Sequence, residues 1–302
     1  MQLAMIGLGK MGANMVRRLC RGGIEVVGFN RSPAIVTQLA QTEGMHAAGS
    51  LADAVGQLSS PRLVWLMLPS GDPTEKTIDE LCRLLQPGDV IIDGGNSNYH
   101  DSQRRGQSLA KHQLGFIDAG TSGGVWGLEK GYCMMVGGEA RDVGLLEPIL
   151  KILAPAADRG WGHVGPVGAG HFSKMIHNGI EYGMMQAYAE GFALLKGKQE
   201  FDLDLAQLAE LWRHSSVVRS WLLDLMADFL KQDQQLDGIE PFVADSGEGR
   251  WTVDEATAQG TPAPVLALAL HMRFASQGGA DYGNKLLAMM RNSFGGHATK
   301  DK

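Results

Sequence analysis

Short apolar runs alternate with amphipathic stretches from the first residues to about Val164, and this alternation constrains the chain more than any other feature. LAMIG is followed by a helical pattern from about Lys10 to Arg21, then by IEVVGF, then by a second helical pattern after Pro33. RLVWLML, DVIIDGG, LGFIDAG and YCMMVGG repeat the scheme further on. Strands that alternate with helices predict a parallel α/β sheet, because each right-handed crossover is supplied by the helix between two strands. Past the glycine-rich GPVGAG the strand signals stop, and helices are expected at about 168–197, 204–213, 217–231 and 264–276. The reading is two domains, 1–166 and 167–302, the second all-α and joined to the first by a long helix. A length of 302 residues has room for both, and 44% hydrophobic residues with 20% charged ones suit a buried core.

Charge removes several classes of partner. The net charge is −6, and no Lys/Arg cluster exceeds a pair, so no nucleic-acid partner is expected. Cys20, Cys82 and Cys133 are dispersed and odd in number, which fits reduced thiols and neither a disulfide framework nor a zinc site; no metal is expected. MQLAMIGLG is too short for a signal peptide or a membrane span and reads as a strand, so a cytoplasmic protein without a membrane partner is expected.

Gly7-Leu8-Gly9-Lys10-Met11-Gly12 closes the first strand and opens the first helix, which is the context that makes GxGxxG a dinucleotide fingerprint and the first domain Rossmann-type. The alternative is a tight glycine turn and nothing more. At the end of the second strand, where an NAD site usually places Asp or Glu, stand Asn30, Arg31 and Ser32. These can hold a 2′-phosphate, which favours NADP and leaves NAD possible; Arg31 stacked on the adenine is the rival view. Leu68-Pro69-Ser70 and the glycine-flanked Asn96 follow two further strands, where a parallel sheet meets its ligand; Asn96 as a plain turn residue is the alternative. Ser122, Gly123 and Gly124 offer a hydroxyl and backbone N–H groups to a carboxylate or hydroxylated ligand, or form only a glycine turn.

KMIHNGIEY places Lys174, His177, Asn178 and Glu181 at i, i+3, i+4 and i+7, on one face of an otherwise apolar helix. A lysine whose charge is disfavoured by burial can take a proton from an alcohol, and a carboxyl further along the face can return one. The bland alternative is an internal Lys–Glu pair beside a core histidine, for which i, i+7 is a long reach.

GLGKMG, NRS, DGGNS, GTSGG and above all KMIHNGIEYGMMQ, in this order, resemble 6-phosphogluconate dehydrogenase, the decarboxylating enzyme of the pentose phosphate pathway. The likeness runs to the C-terminus, through DSGEGRW, the arginine of LALHMRFAS and the closing RNSFGGH. The resemblance implies oxidation of 6-phospho-D-gluconate to ribulose 5-phosphate and CO2, in pentose phosphate metabolism or gluconate utilization. Lys174 would be the base and Glu181 the acid. Asn96, Ser122, Gly123, Gly124, His177 and Asn178 would hold the sugar acid, with Tyr182, Arg250 and Arg273 on the phosphate. Arg291 and His297 would reach a neighbouring subunit's site, so a homo-oligomer, dimer or tetramer, is expected. The chain is similar to the family's shorter branch, whose members often prefer NAD, and Arg250 stands where the family usually has lysine. Another β-hydroxyacid dehydrogenase, of the 3-hydroxyisobutyrate or tartronate semialdehyde type, is the alternative; those relatives share the first domain, the SGG turn and the lysine, but lack the HN pair followed by Glu-Tyr.

Overall fold

The computed structural model describes residues 1–295, with side chains through Ser293. Contacts divide the chain into two compact units, Met1–Ile176 and His177–Lys302. Among the described residues the first unit holds one eight-stranded sheet in the order β3-β2-β1-β4-β5-β6-β7-β8. Its strands are β1 (Gln2–Ile6), β2 (Glu25–Phe29), β3 (His46–Ala47), β4 (Leu63–Leu66), β5 (Val90–Asp93), β6 (Gly115–Ser122), β7 (Cys133–Gly137) and β8 (Trp161–Gly165). Between them run α1 (Lys10–Arg21), α2 (Pro33–Glu43), α3 (Leu51–Gly56), α4 (Asp72–Leu84), α5 (Tyr99–Ala110), α6 (Gly127–Lys130) and α7 (Ala140–Leu153).

The strands from β3 to β6 are parallel, as the alternation predicts, with registers such as Ala4 opposite Val64 and Val64 opposite Ile91. The alternation also predicts YCMMVGG as part of the parallel set, and here the structure differs: β7 runs antiparallel to β6, with Ser122 opposite Cys133. Ten residues separate these two strands, too few for a crossover with a packed helix. Side chains alternate across the sheet, so Leu3 and Met5 join one core with α1, α2 and α7, while Ala4 and Ile6 join the other with α3, α4 and α5. Helices on both faces explain why the strands read as continuous apolar runs. The strand order reverses between β1 and β4, and a sheet of this kind binds its ligand at that switch, beyond the carboxyl ends of the strands.

α8 (Ala169–Gly197) is a 29-residue helix, about 44 Å long at 1.5 Å per residue. The unit boundary falls inside it, at Ile176/His177, where the sequence analysis expects 166/167. Its first turns belong with the sheet because Asp118, fully buried on β6, accepts the backbone N–H groups of Gly168 and His171 at 2.7 Å each. The rest of α8 forms the second unit with α9 (Leu205–Trp212), α10 (Trp221–Leu230), α11 (Glu248–Gln259), α12 (Pro264–Ser276) and α13 (Asp281–Gly295). Asp204 and Ser220 cap α9 and α10, accepting N–H groups at 2.9 Å and 3.2 Å. Phe192, Leu205, Ala209, Leu223, Ala227 and Leu230 make one apolar cluster of this unit; Tyr182, Ala269 and Leu270 make a second. α13 leaves Leu286, Leu287, Met289 and Met290 exposed.

Candidate active site

The glycine-rich turn is shaped by what its backbone must pass. Gly7 has φ +95°, in the left-handed region, and a methyl at Gly12 would collide with the Gly7 carbonyl oxygen, so turn and helix meet backbone to backbone. Gly9 caps α1 with open space before it, and Gly9 and Lys10 are exposed while Leu8 and Gly12 are buried. Met11 packs partly buried against the sheet core. A helix N-terminus with exposed backbone beside a sheet switch point fits a pyrophosphate. Asn30 braces this turn: its Oδ1 accepts the Leu8 N–H at 3.1 Å and its Nδ2 donates to the Ser32 carbonyl at 3.3 Å. Arg31 and Ser32 are exposed beside it.

Beyond β4, Pro69 and Ser70 are exposed and Thr74 Oγ1 donates to the Pro69 carbonyl at 2.9 Å. The turn after β5 packs against this one: a methyl on Gly95 would lie 2.7 Å from the Leu68 carbonyl oxygen. Asn96 is the exposed tip of that turn. Beneath it lies a buried ionic group that sequence reasoning missed. Asp93 is fully buried and meets Arg105 Nη1 at 2.8 Å, while Arg105 Nη2 meets Glu75 Oε1 at 2.7 Å. Burial pushes the Glu75 carboxyl up, but hydrogen bonds and charge from Arg104 and Arg105 outweigh it and hold the group below the usual carboxylate range. Removing Arg105 would strand a buried carboxylate, at about 3–5 kcal/mol. The available signal was an acid closing an apolar run, as in VIID and FIDA.

Ser122 ends β6 half-buried, Gly123 has φ +132°, and Gly124 is exposed. Two residues earlier the strand meets α8: a methyl on Gly120 would lie 2.5 Å from Lys174 Cβ and 2.7 Å from the Gly170 carbonyl oxygen. Lys174 is 7% exposed, its stem lying against strand backbone. One turn earlier, His171 Nδ1 shares a 2.7 Å hydrogen bond with Ser102 Oγ.

In the second unit, His177 Nδ1 stands 3.4 Å from Asn178 Oδ1 and 3.9 Å from Glu181 Oε2. Asn178 is buried, and Glu181 is partly exposed. Tyr182 is buried, with the Arg273 guanidinium 3.4 Å from its ring centroid. Arg273 Nη1 also donates to the Ala244 carbonyl at 2.6 Å. Arg250 pairs with Asp245 and lies 4.4 Å from the Phe274 ring centroid. The segment Ala244–Ser246 therefore touches both arginines, and Ser246 Oγ lies 3.4 Å from the Tyr182 hydroxyl. Arg291 is exposed on α13, and His297 lies outside the described residues. Among the described residues no group of three His, Cys, Asp or Glu side chains could hold a metal ion.

Comparison with known proteins adds the following. The family model for the NAD binding domain of 6-phosphogluconate dehydrogenase matches residues 2–163, and that for the 6-phosphogluconate dehydrogenase C-terminal domain matches residues 170–299. The NAD(+)-dependent, decarboxylating 6-phosphogluconate dehydrogenase of Haloferax volcanii is 40% identical over 303 residues, covering 100% of this chain and 99% of that protein. The Plasmodium falciparum 6-phosphogluconate dehydrogenase, solved with NADP+ and with 6-phosphogluconate, superposes with a TM-score of 0.85 at 26% identity; all of this chain matches 65% of that one. A 3-hydroxyisobutyrate dehydrogenase from Salmonella typhimurium matches 92% of this chain and 94% of its own with a TM-score of 0.75, but at 21% identity it shares the fold alone.

Proposed function

The chain belongs to the 6-phosphogluconate dehydrogenase family, and on that premise we propose that it converts 6-phospho-D-gluconate to D-ribulose 5-phosphate and CO2, with NADP preferred and NAD as the alternative. The observation that carries this reading is the face of α8, where a lysine buried against Gly120 is followed by His177, Asn178 and Glu181. When bound, the nicotinamide supplies the hydride acceptor. Lys174 takes the proton of the C3 hydroxyl as that carbon is oxidised. The 3-keto acid so formed loses CO2, its ketone accepting the electron pair, and Glu181 protonates the carbon of the resulting enediol. His177, Asn178, Asn96 and the Ser122–Gly124 turn hold the hydroxyls and carboxylate.

Arg250 and Arg273 hold the phosphate, with Tyr182 between sugar and cations. Guanidinium forks match phosphate oxygens, and a substrate of the 3-hydroxyisobutyrate type has no use for them. Gly7–Gly12 cradle the pyrophosphate, and Leu68–Ser70 together with Asn96 line the nicotinamide side. Since the Asn30 side chain is spent on the turn, Arg31 and Ser32 are left to read a 2′-phosphate. The NAD dependence printed for the Haloferax relative is the specific observation that keeps NAD as the second reading. The chain works as a homo-oligomer in which Arg291 and His297 of one copy serve another, and the exposed apolar residues of α13 are surface for a neighbour to cover.

The deciding experiment is absorbance at 340 nm with 6-phosphogluconate and NADP or NAD, with CO2 release followed in parallel and 3-hydroxyisobutyrate and gluconate as competing substrates. Reduction coupled to CO2 with the phosphorylated acid is expected, and Arg31→Ala should lower the NADP to NAD ratio of kcat/KM. Turnover of gluconate as fast as its phosphate would sink the assignment of Arg250 and Arg273.

A further inference from the structure

Arg105 has almost no contact with solvent, its side chain being 1% exposed, and it spends its donors on two carboxylates and a hydroxyl. Nη1 donates to Asp93 Oδ2 at 2.8 Å and to Ser97 Oγ at 3.1 Å; Nε and Nη2 donate to Glu75 Oε1 at 2.9 Å and 2.7 Å. Asp93 in turn accepts the Ser97 hydroxyl at 2.7 Å and the Gly95 N–H at 3.0 Å. The ties therefore land on the two residues that flank Asn96, and leave Asn96 exposed between them. A clamp serving only to join α4 to α5 would need the Glu75 contacts alone. The same helix is docked on the start of α8: Ser102, one turn before Arg105, meets His171 at 2.7 Å, and the Tyr99 ring stands edge-on to Phe172 with centroids 5.2 Å apart. Lys174 follows His171 by one turn of the same helix.

We propose that Arg105 is a positioning residue for Asn96: by clamping Asp93 and Ser97 it fixes the Gly94–Asn98 turn, and through α5 it holds that turn in register with Lys174. The inference rests on the reading above, in which Asn96 touches substrate and cofactor. Arg105 touches neither and acts through the turn. An apolar side chain could fill the same space, but it would leave the buried Asp93 carboxylate without its counter-charge and Ser97 Oγ without the guanidinium donor.

The test is a double-mutant cycle on the full chain, pairing Arg105→Met with Asn96→Ala. Each single variant is expected to lower kcat/KM for 6-phosphogluconate, Arg105→Met by about 100-fold, the scale of a misplaced binding group. The double variant should be no worse than Asn96→Ala alone, although the loss in Tm caused by Arg105→Met persists in both backgrounds. Losses that multiply in the double variant would overturn the proposal, as would a folded Arg105→Met enzyme within about two-fold of wild type. If Arg105→Met does not fold, Ser97→Ala carries the same cycle, removing the two hydrogen bonds of the Ser97 hydroxyl and no charge. A wild type that does not oxidise 6-phosphogluconate would refute the function reading by itself. The cycle would then be read on NADPH affinity from nicotinamide fluorescence, where additive losses, or none in either single variant, count against the proposal.

Discussion

Lys174 owes its burial to a missing side chain opposite it, since Gly120 leaves strand backbone for the lysine stem to lie on. The amine is thereby carried on a rigid strand–helix contact rather than on a loop, which suits a base that must meet one proton. Lys174→Met is expected to lower kcat by at least about 100-fold, the usual share of a general base, with nucleotide affinity kept. Stopped-flow reduction and NADPH fluorescence measure the two separately, and vigorous residual reduction would remove Lys174 from that role. Arg273 presents a different case, because its guanidinium is held by stacking on Tyr182 and by the Ala244 carbonyl. Such preorganisation lowers the ordering cost of binding. Arg273→Ala should raise KM for the phosphorylated acid by about 10- to 100-fold, the worth of a charge-assisted hydrogen bond, with a smaller change in kcat. An unchanged KM would mean that the phosphate binds elsewhere.

At the scale of elements, α4 and α5 are joined through Glu75, which accepts from Arg104 at 2.5 Å and from Arg105 at 2.7 Å. The folded carboxyl titrates below its unfolded value of about 4.3, so its stabilisation is complete above that pH and is lost as pH falls through the folded value. Glu75→Gln should therefore have a lower urea midpoint than wild type at pH 7, with the gap closing below about pH 4. A gap that ignores pH would show that shape rather than charge joins the helices. This ionic joint was hidden in the sequence because its members stand 12 to 30 residues apart, and no periodic pattern pairs them. The direction of β7 was hidden for a related reason, since an apolar run predicts a strand and not the sense in which it pairs.

For the whole molecule, the proposed homo-oligomer shares its sites between copies through Arg291 on α13. Lys174→Met and Arg291→Ala chains, each impaired alone, should regain activity when mixed and allowed to exchange. In a mixed oligomer an intact tail then serves an intact lysine. Native mass spectrometry would report the exchange, and mixed oligomers without recovered activity would show that the tail does not act across copies.

Periodicity and local motifs made much of this protein legible before any tertiary contact was considered. The alternation of strand and helix, the glycine turn after β1, and the polar face of α8 depend on neighbours within a few residues, and such signals survive in a linear string. What required the folded chain was every pairing between distant segments: Lys174 on Gly120, Asp118 on the start of α8, Arg105 between Asp93 and Glu75, and Arg273 over Tyr182. A buried charge or lysine has to find its partner in space, and the residue that satisfies it is set by the topology of the sheet and the packing of helices rather than by its place along the chain.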